Sequence, residues 1–252
     1  MAAAALVALG RPVRADAPSD TTIEAAISFG YVPTSTHVSA AGVAASATAS
    51  APGLAPTPFA TGSDDLGTSG FAVSAHATAL TPYYGPGIFR AFFLLGGTVF
   101  FGRSGSSTFG TFHGPSPDTG ASANSTFAID AALGGDFPLC AGLACADLRA
   151  FFGLSMVRQG ITAWSDETGA GGKREETSAT NLKWGTVWGL TLTKPLCSDC
   201  SSTSLRLLVG LMVRAVPATT LTFASATGRA YSVYFDPQFE PQIHAGLLLP
   251  IL

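Results

Sequence analysis

Apolar and polar residues alternate with a period of two along much of this chain. Between positions 22 and 32, Ile23, Ile27 and Phe29 fall on one side, and Glu24 and Ser28 fall on the other. This period is typical of a β-strand, whose successive side chains point to opposite faces, whereas a helix repeats every 3.6 residues. The alternation, clear in some segments and weaker in others, predicts eight strands: Thr22–Val32, Gly70–Thr81, Ile88–Gly102, Ser125–Phe137, Ala146–Thr162, Thr180–Lys194, Ser204–Ala215 and Pro241–Ile251.

The segment from Ser204 to Ala215 indicates which environment these strands occupy. Leucine and valine recur at every second position, and Arg206 and Arg214 lie on the opposite face. A tilted strand needs about 9 to 11 residues to cross a bilayer, whereas strands of soluble sheets are usually about five or six residues long. The predicted strands reach the longer figure, so we expect their apolar faces to meet lipid and their charges to point into a lumen.

Long and short connections alternate between the predicted strands. The long ones, rich in Gly, Ser, Thr, Ala and Pro, are residues 33–69, 103–124, 163–179 and 216–240. The short ones, each beginning at proline, are residues 82–87, 138–145 and 195–203. Bacterial transmembrane barrels have short periplasmic turns and long outer loops. The rhythm predicts an all-β fold, an eight-stranded antiparallel transmembrane up-and-down β-barrel with both termini in the periplasm.

Composition narrows the class of protein further. Of the 252 residues only 12% are charged and 47% are hydrophobic, and the mean hydropathy is +0.36. No stretch reaches the roughly 17 to 25 mainly apolar residues of a transmembrane helix. The net charge of −3, with its basic residues scattered, excludes a polybasic nucleic-acid surface, so nucleic acid is not an expected partner.

The first seventeen residues have the pattern of an export signal. A short apolar run from Ala2 to Leu9 is followed by Ala15-Asp16-Ala17, which matches an A-x-A cleavage site, although no basic residue precedes Ala2. We predict a signal peptide over residues 1–17 and a single β-barrel domain over residues 18–252. The expected location is the bacterial outer membrane.

The strand pattern and loop rhythm resemble those of the small bacterial outer-membrane barrels of the OmpA, OmpX and OmpW kind. The resemblance covers almost the whole mature chain and rests on pattern, not on a shared motif. It implies a membrane-spanning β-barrel. Such barrels usually end in an aromatic residue, whereas this chain ends in Leu252. Pro250 has no N–H to donate, so we expect it at a position where the strand ladder needs no hydrogen bond from it.

Seven charged residues are expected on the lumenal faces. An eight-stranded barrel is only just wide enough for side chains to fill it, so we expect these charges to pair with each other and form a polar plug. The predicted function is therefore an outer-membrane structural or surface-exposed component with a largely plugged lumen. The alternative is a narrow diffusion pore gated by the same charges. The seven are Glu24, Arg90, Asp130, Asp136, Asp147, Arg149 and Arg206.

Four cysteines occur in two of the short connections. Cys140 and Cys145 lie in one, and Cys197 and Cys200 lie in another. An even number of cysteines in an exported protein predicts two local disulfides, although zinc binding and a redox-active Cys-x-x-Cys remain alternatives. We expect no metal and no other cofactor.

Two further classes of function stay open. Ser74, His76 and Thr78 share an inward face, so a lipid-modifying enzyme, a lipid A acyl-chain hydrolase or transferase, is a weaker alternative to a non-enzymatic protein. His244 is expected to pack in the lumen. A soluble lipocalin-like barrel would turn the apolar faces inward around a ligand.

The outer connections predict the partners. Residues 39–61 are almost entirely Ala, Ser, Thr, Gly and Pro, and residues 163–179 carry mixed charge around a glycine-rich tip. We expect outer-membrane lipid and lipopolysaccharide to surround the barrel. A protein partner would meet residues 33–69 and 163–179, which we expect to be outer loops.

Overall fold

The computed structural model of the protein describes eight ranges of the chain. They are residues 21–43, 58–84, 89–109, 118–141, 144–166, 174–196, 205–224 and 230–251. The predicted signal peptide, residues 1–17, lies outside them. Within them the regular structure is β-strand, and no helix there is long and apolar enough to cross a membrane.

Each of the eight predicted strands overlaps one of the thirteen strands that the structure describes. They are β1 (Thr22–Val32), β2 (Ser35–Val43), β3 (Pro58–Gly67), β4 (Gly70–Leu80), β5 (Arg90–Phe101), β6 (Ser104–Phe109), β7 (Asp118–Ala141), β8 (Ala144–Asp166), β9 (Arg174–Pro195), β10 (Arg206–Val216), β11 (Thr219–Ala224), β12 (Ala230–Phe235) and β13 (Gln238–Pro250).

Eight of these strands close into a barrel. The order around the wall is β1, β4, β5, β7, β8, β9, β10 and β13, and β13 pairs with β1 to complete the circle. Every pairing in the wall is antiparallel. The predicted eight-stranded antiparallel barrel is confirmed, and with it the fold of the small outer-membrane barrels that the sequence resembles.

The wall of this barrel is apolar outside, whereas its inside holds both charged and small or apolar side chains. Leu133 points outward and is 68% exposed, whereas the neighbouring Ala132 points inward and is 2% exposed. Phe29, Phe71 and Phe152 are likewise more than half exposed. A continuous apolar surface of this extent is stable only against other apolar material. The outer wall is therefore a lipid-facing belt, and the lipocalin-like alternative, which needs the apolar faces inside, is wrong.

The predicted outer loops 33–69 and 163–179 are largely strands, which corrects the sequence analysis. Residues 35–43 and 58–67 form β2 and β3, and β8 and β9 continue through residues 163–166 and 174–179. Segments rich in small residues have a low intrinsic preference for strands, so their composition predicts loops. Packing overrides this preference here, because Val38 and Ala40 of β2 are buried by neighbouring strands. Residues 44–57 and 167–173 lie outside the described residues.

These additional strands extend the barrel beyond the lipid-facing belt at one end. β11, β12, β2 and β3 form a second, four-stranded sheet, which faces the far parts of β7 and β8 across an apolar core. We call this part the extension, and its interior the sandwich core. The sandwich core consists of Val38, Ala40, Leu66, Ala121, Ala123, Ile161, Ala163, Leu221, Val233 and Phe235.

Strand breaks mark the junction between barrel and extension. β1 and β2 are separated at Pro33, β10 and β11 at Pro217, and β12 and β13 at Pro237. Proline interrupts a ladder because it has no N–H to donate. β5 and β6 are separated at Gly102, whose φ of 69° is in the left-handed region that favours glycine. Each of the three prolines separates a strand of the wall from a strand of the second sheet, so that sheet can turn relative to the barrel wall.

Candidate functional site

The predicted lumenal charges lie inside the barrel near the end that carries the short connections. Six of them form one group, which we call the terminal network: Glu24, Arg90, Asp136, Asp147, Arg149 and Arg206. Each of the six is at most 6% exposed. The seventh predicted residue, Asp130, lies deeper in the barrel with a different partner.

Acids and bases alternate through the terminal network. Arg90 Nε lies 2.6 Å from Asp136 Oδ2, and Arg149 Nε lies 3.4 Å from Asp136 Oδ1. Arg149 Nη2 in turn lies 2.6 Å from Glu24 Oε2. The series of ion pairs continues to Arg206, which is 3.9 Å from Glu24, and ends at Asp147, which forms an ion pair with Arg206.

The alternation explains how the charges can be buried together. Burying a charge is costly unless it is paired and hydrogen-bonded. With three carboxylates and three guanidinium groups, the terminal network is neutral, and four strands of the wall besides β8 supply its members. The network therefore ties distant parts of the wall together across the lumen.

A second charged group lies in the middle of the lumen. Arg214 donates from Nη2 to Asp130 Oδ2 over 2.6 Å and from Nε to Oδ1 over 3.0 Å, and both residues are fully buried. Ser155 donates to Asp130 over 2.6 Å, and Arg214 also donates to Gln242 over 2.8 Å. We call Asp130 and Arg214 the central pair. Its hydrogen bonds span the lumen between β7 and β10.

Ser74 and His76, the residues of the weaker enzyme alternative, lie next to the central pair. The Ser74 hydroxyl lies 2.9 Å from Thr98 Oγ1 and accepts a hydrogen bond of 3.0 Å from Gln242 Nε2. Ser74 is completely buried, and Nε2 of His76 has no hydrogen-bond partner among the described residues. The hydroxyl is thus held by a structural network inside the barrel, and its geometry gives no support to a nucleophile and base.

The two lumenal histidines border a small cavity between the central pair and the terminal network. The cavity, of about 30 Å³, is lined by His76, His244, Arg149, Met212 and Phe151 among others. The His76 ring lies over Gly96, where a Cβ would come within 2.0 Å of it. Within the described residues no cluster of three or more His, Cys, Asp or Glu is arranged to hold a metal ion.

A third charged group lies where the barrel meets the extension, and we call it the junction layer: Arg103, Lys183 and Glu240. Arg103 Nη2 lies 2.9 Å from Glu240 Oε1 and 3.1 Å from Thr34 Oγ1, and Arg103 Nε donates to the Thr68 carbonyl. Lys183 Nζ donates to the Pro217 carbonyl over 3.5 Å. The junction layer thus closes the barrel directly below the sandwich core.

Phe100 connects the junction layer to the central pair. Its ring centroid lies 4.7 Å from the Arg103 guanidinium and 5.5 Å from the Arg214 guanidinium. A cation over an aromatic face is attracted by the ring quadrupole. Apolar side chains around Phe100 separate the two charged groups, so that charged and apolar layers alternate along the lumen.

Four charged residues of the lumen are not among the seven predicted from the sequence: Arg103, Lys183, Arg214 and Glu240. Arg214 was detectable, because it shares the polar face of its strand with Arg206, which was included. Glu240 lies just before the predicted strand that began at Pro241, and Lys183 lies within a predicted strand of weak alternation. Arg103 lies at the break between β5 and β6, where counting every second residue no longer predicts which face a side chain is on.

The cysteines are described only in part. Cys140 and Cys145 lie directly opposite each other in the register of β7 and β8, a placement that suits a cross-strand bridge. Cys197 and Cys200 lie outside the described residues. Both disulfides stay predictions.

Comparisons with known proteins give likenesses of structure only. No protein-family model and no curated protein matches the chain. The chain is similar to the outer membrane protease OmpT from Escherichia coli, with a TM-score of 0.42, 11% identity and coverage of 91% of this chain and 97% of that chain. It is also similar to Ail, the attachment invasion locus protein of Yersinia pestis, with a TM-score of 0.28, 10% identity and coverage of 88% and 97%. The translocator domain of the autotransporter NalP from Neisseria meningitidis gives a TM-score of 0.27, 13% identity and coverage of 99% and 94%. Scores this low carry no information about function.

Proposed function

We propose that this protein is a surface-exposed structural component of the bacterial outer membrane, with a plugged lumen and no catalytic activity. The lipid-facing belt spans the membrane, both termini lie in the periplasm, and the extension stands on the outer side. Lipopolysaccharide and other outer-membrane lipids surround the belt, and a protein partner meets the extension.

The observation that carries the proposal is the filling of the lumen along its length. The terminal network, the central pair and the junction layer each cross the interior with paired charges, and the sandwich core closes the far end. A conducting pore needs a hydrated path, whereas eight strands leave an interior that side chains fill. The arrangement favours a plug over the diffusion pore.

Single-channel recording of the purified protein in planar bilayers tests this proposal. We expect no stable conductance from the wild type. Arg206→Glu would leave three carboxylates and the new glutamate facing only two arginines, so any pore through the lumen would change its ion selectivity. Arg158→Glu is the matched control, because Arg158 is exposed on the outer wall. Reproducible wild-type channels whose selectivity changes with Arg206→Glu and not with Arg158→Glu would establish the pore instead.

The orientation is testable in intact cells. In a variant whose four native cysteines are replaced by alanine, Thr222→Cys places a thiol on the exposed surface of β11, and Leu196→Cys places one at the opposite end. We expect a membrane-impermeant maleimide to label Thr222→Cys in intact cells and Leu196→Cys only after permeabilisation. The opposite result would reverse the orientation and leave the plug unaffected.

A further inference from the structure

Among the described strands no ladder joins the two sheets of the extension: β6 meets β3 on one side, where Ser107 donates to Asp64, and β9 lies beside β11 on the other. β11 is hydrogen-bonded only to β12, and on the extension side of Thr186 the strand β9 pairs only with β8. We call the gap between residues 174–185 of β9 and Thr219–Ala224 of β11 the seam. Each edge of the seam presents main-chain N–H and C=O groups that no strand among the described residues pairs. An unpaired edge is a template for one more strand.

The walls of the seam offer apolar contacts as well as main-chain groups. Ala179 of β9 and Phe223 of β11 are half-buried and pack against the sandwich core from the two sides. A strand places every second side chain on the same face. An extended segment in the seam would therefore cover these two residues with alternate side chains while its backbone pairs with an edge.

The base of the seam holds a buried cation that forms no ion pair with a described residue. Lys183 is 9% exposed, and its Nζ donates to the carbonyl of Pro217. Pro217 lies in the short connection between β10, which pairs with β9, and β11, which does not. The terminal network and the central pair are each neutral, but the junction layer has two cations and one acid. That acid, Glu240, forms its ion pair with Arg103 and attracts Lys183 only from a longer distance, and no described carboxylate lies within ion-pair distance of the Lys183 ammonium.

We propose that the seam binds an extended peptide segment of a partner protein, which adds a strand to the extension and places a carboxylate against Lys183. Charge-assisted hydrogen bonds are the strongest that a buried ammonium can form, so a carboxylate is the favoured counter-ion. The unpaired N–H and C=O groups along each edge match a peptide backbone and not a free phosphate. The proposal rests on the proposed function only for the exposure of this end to partners, and binding in detergent tests it independently of orientation.

Fluorescence anisotropy with two synthetic hexapeptides of alternating threonine and valine tests the seam. One peptide has a free C-terminal carboxylate, the other is amidated, and both carry a fluorophore at the N-terminus. The full chain in detergent micelles should bind the free-carboxylate peptide about tenfold more tightly than the amidated one, as expected for a hydrogen bond between charged groups. Lys183→Gln should remove this preference. Lys194→Gln, which alters an exposed lysine at the other end of β9, should retain it.

Amide hydrogen exchange of the wild type locates the bound peptide. We expect the free-carboxylate peptide to slow exchange along β11 and the facing edge of β9. If Lys183→Gln fails to fold, the presence or absence of this protection tests the proposal on the wild type alone. The proposal is overturned if neither peptide binds saturably, if the preference survives Lys183→Gln, or if protection appears only elsewhere. Saturable binding of inorganic phosphate that depends on Lys183, without binding of either peptide, overturns it too.

Discussion

The barrel and the extension are built from continuations of the same strands, yet their interiors are opposite in chemistry. β1 turns Glu24 and Ser28 inward and Phe29 outward, whereas β2, which follows it after one break, turns Val38 inward and His37 outward. The barrel is thus apolar outside with charged layers between apolar ones inside, and the extension is apolar inside and polar outside. The reversal occurs at the junction layer, where the lipid-facing belt ends.

This difference between barrel and extension shows that the surrounding medium, lipid or water, decides which kind of side chain lies on each face of a strand. Against lipid, apolar side chains gain nothing by turning inward, so the narrow interior is left to charges that must neutralise one another. Against water, burial of apolar surface stabilises the fold at about 25 cal/mol per Å². The barrel should therefore depend on ion pairs and the extension on packing, and the predictions below separate these two dependences.

The largest effect should come from breaking the central pair. Arg214→Met leaves Asp130 buried without its counter-ion, and removal of one partner of a buried pair costs about 3 to 5 kcal/mol. The double variant Arg214→Met with Asp130→Leu should be more stable than the single one, because no unpaired charge remains. Urea unfolding in detergent micelles, followed by tryptophan fluorescence, measures both. Equal losses in the two variants would show that packing, and not charge pairing, holds the barrel.

Removing a ring from the sandwich core should cost somewhat less and act on the extension alone. Phe235→Ala leaves a cavity at a residue that is 1% exposed, and such a change costs about 3 kcal/mol. Hydrogen exchange should rise in β2 and β12 and stay low in β1 and β13. The control is Phe239→Ala, since Phe239 is 67% exposed on the outer wall and its loss opens no cavity. Uniform loss of protection would mean that barrel and extension unfold as one unit.

The predicted disulfide between Cys140 and Cys145 should contribute a smaller amount. The loop that it closes is short, so chain entropy gives about 2 kcal/mol for the bridge. Cys140→Ser with Cys145→Ser should lower the urea midpoint accordingly, and the unreduced wild type should resist alkylation after unfolding. Full alkylation of all four cysteines without reductant would contradict both predicted disulfides.

The smallest effect should come from an exposed contact between β3 and β6 on the extension. The hydrogen bond from the Ser107 hydroxyl lowers the pKa of Asp64 below its ordinary value, and the Asp65 backbone N–H adds to this. A lowered pKa stabilises the fold above the unfolded pKa of about 3.9, and this contribution disappears as the pH falls through the folded value. Ser107→Ala should raise the pKa of Asp64 in an NMR titration and should lower the stability at neutral pH only slightly, because solvent screens this exposed carboxylate. An unchanged pKa would show that the contact is absent in solution.

Much of the barrel could be predicted from the sequence because alternation is a local property. The faces of β1 and β10 follow from counting by twos, and this counting placed Glu24 and Arg206 inside before any contact was known. The same reasoning failed for the extension, since strands rich in Ala, Ser, Thr and Gly have weak local preferences. Ala121 and Ala123 become core residues only because β2, β11 and β12 cover them.

The sequence by itself determined the strand period, the eight-strand count and the inward side of six charges that form the terminal network. Tertiary structure decided which charges meet, because register and strand tilt bring Asp130 to Arg214 and not to the arginines of the terminal network. It also decided which alternate residues of β7 face inward, because a register shift between Ser125 and Phe127 exchanges the inward and outward positions. A bulge adds one residue to one strand and reverses every later face, and that geometry depends on the neighbouring strands rather than on the local sequence.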